Sequence, residues 1–156
     1  MKRTVGLGGY AISNSQGDIL VTHGLASCIA VAVYSPSKKV SGMVHIVLPS
    51  PPPNQMFSSG PYYYAATGIP LLINRMCSEY GCLKSNLCIG IFGGADSIRE
   101  EDFFMLGQKN KDMVEKVLKG LNLSYDASET GGTVSRTLEM DVETGIVKVS
   151  YQPITI

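Results

Sequence analysis

Four β-forming runs crowd the first 48 residues, near 3–12, 18–22, 28–34 and 40–48, and Pro49-Ser50-Pro51-Pro52-Pro53 ends the last of them. Alternating or β-branched residues mark the runs, while Asn14 to Gly17 and Ser35 to Lys39 have the composition of turns. Proline donates no backbone hydrogen bond, so no ladder continues past Leu48, and the stretch from Pro49 to Gly60-Pro61 reads as a loop. The short connections predict a β-meander for this third of the chain.

Two helical patterns follow. Between about 62 and 80, Ala65, Ile69, Leu72, Ile73, Met76 and Tyr80 recur at helical spacing up to Gly81, with Pro70 kinking or beginning the helix. A strand, Leu87 to Phe92, leads into Gly93-Gly94, and a helix near 107–120 carries Met113, Val114, Val117 and Leu118 on one face. Further strands are expected at 122–128, 133–141 and 145–151, the last two joined by a hairpin turn at Glu143-Thr144-Gly145. Two helices against about eight strands predict an α/β chain of the α+β kind, a mixed or antiparallel β core flanked by helices. At 156 residues and 44% hydrophobic, it has material for one sizeable core, so residues 1–156 are read as a single domain.

Thirteen basic and thirteen acidic residues cancel, which leaves no electrostatic footprint for nucleic acid. The apolar run around Cys28 ends at Tyr34, too short for a membrane span, and the glycine-broken start after Lys2-Arg3 reads as a strand rather than a signal peptide. Four cysteines without a signal point to a reducing cytoplasm and free thiols.

Cys28 stands where a glycine-bearing turn, Thr22-His23-Gly24-Leu25-Ala26-Ser27, runs into an apolar strand, and His45 lies on the next strand. A hairpin between those strands would bring imidazole to sulfur, as a nucleophile and its base require, and a neighbouring histidine lowers a thiol's pKa. The mildly basic first 60 residues would add weakly to that. The bland alternatives are a packed core thiol and a core histidine.

Thr22-x-x-Leu25-x-Ser27-Cys28-Ile29-Ala30-Val31, followed by Gly42-Met43-Val44-His45-x-x-Leu48-Pro49, resembles the paired motifs of the CheD family, the chemoreceptor glutamine deamidases. Tyr64-Ala65 with Ile69-Pro70-Leu71-Leu72-Ile73, then Ile91-Phe92-Gly93-Gly94-Ala95, then Gly131-Gly132-x-x-x-Arg136 with Thr144-Gly145-x-Val147, continue the likeness in family order. Ala26 and Ser135 stand where the family usually has glycine. The resemblance implies a fold of the cytotoxic necrotizing factor deamidase type, with no cofactor. It also implies that Cys28 attacks a receptor glutamine carboxamide, that His45 shuttles the proton, and that Thr22 orients the imidazole. The product would be glutamate and ammonia, with methylglutamate hydrolysis as a side activity. The expected partners are chemoreceptor cytoplasmic helices. A rival reading from the same resemblance is a regulatory module that binds and stimulates a CheC-type phosphatase, and a weaker one is amidase action on a small molecule.

Other groups have plainer readings. Thr22 serves equally as a strand-end threonine capping a backbone group, and Ser27, a supporting residue beside the nucleophile, either helps shape an oxyanion site or is an ordinary turn serine. His23 is expected to face solvent, opposite Thr22. Cys77, Cys82 and Cys88 lack paired C-x-x-C spacing and read as core thiols rather than metal ligands. Gly6-Leu7-Gly8-Gly9 and Gly93-Gly94 fit no phosphate-binding pattern. Arg99-Glu100-Glu101-Asp102 before Phe103-Phe104-Met105 is either a partner-docking edge or a solvated turn leading into core residues.

Overall fold

Gly6-Leu7-Gly8-Gly9 divides the first predicted strand in two. The computed structural model describes residues 1–54, 59–96 and 105–154. In it the Gly9 N–H donates to the Gly6 carbonyl at 2.9 Å, and Gly8 takes φ +66°, a backbone that a side chain adopts only with strain. Strand β1 (Lys2–Thr4) therefore joins one sheet and β2 (Tyr10–Ser13) the other.

The remaining strands and α-helices are β3 (Ile19–Leu25), β4 (Ile29–Ser35), β5 (Val40–Ile46), α1 (Ala65–Tyr80), β6 (Cys88–Gly93), α2 (Leu106–Gly120), β7 (Ala127–Thr130), β8 (Val134–Asp141) and β9 (Val147–Pro153). One sheet has the order β1-β3-β8-β9 and the other β2-β5-β4-β6-β7. Pairs β1–β3 and β6–β7 are parallel and the others antiparallel, so both sheets are mixed. The expected β-core with flanking helices holds, but the meander does not. β4 and β5 form the predicted hairpin, whereas β3 leaves their sheet to pair with β1 and β8. Alternation identifies a strand without identifying its partner. Here Asp18, held by Ser13 Oγ at 2.8 Å and by Arg3 Nε at 3.2 Å, anchors the corner at which the chain changes sheets.

Strand β4 is apolar throughout because both its faces are covered. Ile29, Val31 and Val33 meet Leu72, Met76, Val114 and Leu118 in the layer under the helices. Ala30 and Ala32, with Met43 and Phe92, face Leu20, Leu25, Leu138 and Met140 between the sheets. Pro70 lies inside α1 and does not begin it, and Gly81 at φ +71° closes the helix by donating to the Met76 carbonyl. Residues 122–126 are not strand: Leu121 and Leu123 pack on the helical layer, and β7 starts only at Ala127. Among the described residues no helix is long and apolar enough to cross a membrane.

The pairing registers gather the last residues of β3, β5, β6 and β7 and the first of β4 and β8 at one end of the sandwich. That end holds the residues singled out from the sequence.

Candidate active site

His45 pairs directly with Ala30 across the β4–β5 hairpin. Cys28, the residue before β4 begins, packs with Ala30 into the layer between the sheets, the face that His45 takes as Ala30's partner. Thr22 arrives from the opposite sheet. Its hydroxyl donates to the Val5 carbonyl at 2.6 Å and lies 2.7 Å from His45 Nδ1. With its only hydrogen committed to Val5, Thr22 Oγ1 accepts from Nδ1–H. The tautomer follows: Nε2 carries the lone pair, and that buried atom has no hydrogen-bond partner among the described residues. The turn at Gly6–Gly9 completes the support, since Gly8 N–H donates to the His45 carbonyl at 2.9 Å and His45 N–H to the Gly9 carbonyl at 3.1 Å. Thr22 thus both caps a backbone carbonyl and meets the imidazole.

Burial sets the protonation states. His45 is 1% exposed, and desolvation pulls its pKa down to about 4, partly countered by the Val5 carbonyl. Desolvation pushes the Cys28 thiol up to about 11, against a smaller opposing effect of its own backbone N–H. The expectation that histidine and a mildly basic half of the chain would lower the thiol's pKa is therefore corrected: burial raises it, eased only by the Cys28 backbone N–H, and the resting pair is neutral.

This has a consequence for stability. A histidine held near 4 when folded and free to titrate near 6.5 when unfolded stabilises the fold above pH 6.5, and loses that contribution as pH falls to 4. The difference is worth about 3 kcal/mol. Urea unfolding at pH 7 and pH 4 should show that loss in the wild type and its absence in His45→Leu.

Three segments hold the start of β4. Gly94 N–H donates to the Cys28 carbonyl at 2.8 Å and Ala95 N–H to the Ala26 carbonyl at 2.6 Å. Gly131 N–H in turn donates to the Gly93 carbonyl at 3.0 Å, and Arg136 Nη2 to the Gly131 carbonyl at 3.0 Å. From α2, Asn110 Nδ2 donates to the carbonyls of Ser27 at 2.9 Å and Val47 at 3.0 Å. Ser27 therefore takes part through its backbone. Ala26 and Ser135 are not among the positive-φ residues, so neither departure from the family pattern strains the chain.

Asn110 was not legible as a site residue, although one signal exists: with Val114 and Leu118 it forms an i, i+4, i+8 row on the buried face of a helix, where an amide needs a reason. His23 is exposed in the bulge between Thr22 and Leu25, as expected. Of the other cysteines, Cys82 is buried and Cys77 half-buried, while Cys88 is exposed at the first position of β6 and is not a core thiol. The run Arg99 to Phe104 and part of the 49–61 loop lie outside the described residues.

The family model for CheD chemotactic sensory transduction matches residues 47–151. A relative from Syntrophus aciditrophicus, a probable chemoreceptor glutamine deamidase CheD 1, is 38% identical over 93% of this chain and 91% of its own length. The chain belongs to the CheD family. The family model begins beyond Thr22, Cys28 and His45, but the CheD alignments reach across them: the chemoreceptor glutamine deamidase CheD of Thermotoga maritima is 34% identical over 93% of this chain and 88% of its own. Among solved structures, the Bacillus licheniformis hypothetical protein YfiH superposes with TM-score 0.52 at 12% identity, and YlmD from Geobacillus stearothermophilus with TM-score 0.51 at 12% identity. Each match covers 78% of this CheD chain and about half of the solved one, and it shows a shared α+β fold.

Proposed function

We propose that this chain is a chemoreceptor glutamine deamidase that works through a Cys28 thioester. The observation that carries the reading is the Val5–Thr22–His45 relay, which turns a bare, buried Nε2 lone pair toward the layer it shares with Cys28. The names of the CheD relatives supply the substrate class.

Cys28 Sγ attacks the carboxamide carbon as its proton passes to His45 Nε2. The oxygen that becomes negative is met by backbone N–H groups, that of Cys28 among them. Protonated His45 hands the proton to the departing nitrogen, ammonia leaves, and the acyl group stays on sulfur. Water then attacks the thioester while His45 takes one of its protons; the intermediate collapses to glutamate and free thiol. A methyl ester offers the same electrophile with an easier leaving group, so methylglutamate is a second substrate in this reading. Thr22 keeps Nδ1 protonated throughout, as the orienting member of a triad does.

Mass spectrometry of a receptor cytoplasmic fragment tests this. Wild type should produce the amide-to-acid mass change at particular glutamines, and Cys28→Ala should produce none. A wild type that leaves receptor fragments unchanged would sink the reading. Retention of a CheC-type phosphatase by Cys28→Ala would then favour the binding role, which needs no thiol.

A further inference from the structure

We infer that Asn110 is a positioning residue, whose amide sets the direction of the Cys28 backbone N–H and the separation of the two strand ends that carry Cys28 and His45. The last pair of the β4–β5 ladder is Ile29 with Ile46. Beyond it, Val47 N–H turns away and donates to the Tyr63 carbonyl at 2.9 Å. The carbonyls of Ser27 and Val47 receive the two bonds from Asn110, which is fully buried. Its orientation is unambiguous, because a flipped amide would set Oδ1 against two carbonyl oxygens.

The leverage comes from peptide geometry. The Ser27 carbonyl and the Cys28 N–H belong to one planar unit, so a donor that holds the carbonyl also aims the N–H. Donation to that carbonyl polarises the unit and strengthens its N–H toward an oxyanion. The second bond reaches Val47, two residues past His45, so one rigid amide spans the ends of both strands. Asn110 Oδ1 meanwhile is buried without a hydrogen-bond partner among the described residues, an arrangement that space-filling alone would not require.

The activity arm of the test rests on the deamidase reading, and the other arms do not. Asn110→Leu keeps the volume without donors, and Asn110→Asp keeps the shape while presenting oxygen to both carbonyls. In folded variants kcat on a receptor fragment should fall at least about 30-fold, with KM within about threefold, because the loss is of alignment rather than of substrate contact. Iodoacetamide labelling of Cys28, which needs no substrate, should change at least about threefold. Folded variants that keep both rates within about twofold of wild type would overturn the proposal. If neither variant folds, the wild type decides by NMR: the Asn110 side-chain amide protons should exchange slowly and shift when Cys28 is alkylated, and fast exchange or no shift would overturn it. A wild type without deamidase activity removes only the kcat arm, and labelling and NMR then decide.

Discussion

His45→Ala is expected to deamidate about 10⁴-fold more slowly than wild type at pH 7, and to recover about tenfold per pH unit as pH rises toward 10. Wild type should be nearly flat from about pH 5 to about pH 10. Both expectations follow from the two buried groups. With a thiol at about 11, the thiolate fraction at pH 7 is about 10⁻⁴, so without a base the reaction waits on spontaneous ionisation and follows hydroxide. With the base present, activity requires neutral imidazole, which is lost only as pH falls through about 4, and a thiol that still has its proton to give, which is lost only near 11. Initial rates on a receptor fragment across this range, for both proteins, check it. A wild-type limb between pH 6 and 8, with Cys28 labelling already at plateau there, would mean a resting ion pair and a different mechanism.

Much of this arrangement was legible because it lies within one hairpin. The apolar, β-branched runs 28–34 and 40–48, with a polar turn between, place Cys28 and His45 on one hairpin without any knowledge of the second sheet. Thr22 was harder, since its contact with His45 crosses between sheets, and only the family resemblance assigned it. The division of 3–12 is hidden in the sequence because β-branched Thr4 and Val5 and the later Tyr10-Ala11-Ile12 satisfy a strand pattern on both sides of the glycines. Turn chemistry at Gly8 decided it, and that division is what brings the Val5 carbonyl to Thr22. The thiol's pKa is not legible for a related reason: sequence shows neighbouring charges, but burial, which sets the shift here, depends on how the layers close.

Gly93→Ala should be the most damaging single methyl in the site, lowering stability by at least about 3 kcal/mol. Gly93 takes φ +109°, outside the range that L residues adopt readily, and a Cβ there would overlap the Cys28 carbonyl oxygen. That oxygen accepts from Gly94 N–H at 2.8 Å, so it cannot move away without giving up the bond that anchors the nucleophile's strand. The Arg136–Gly131–Gly93 hydrogen-bond chain tethers Gly93 as well. Gly24→Ala is the matched control: φ is +66° and a Cβ would meet nothing, so backbone conformation alone acts, at about 1 kcal/mol. Urea unfolding of the two variants separates the effects. A clear excess loss for Gly93→Ala, with altered labelling of Cys28, is the expected result, because the close approach of β6 to β4 is then what seats the thiol. Equal losses would mean that the cost is conformational only, and that the Cys28 carbonyl has room to move.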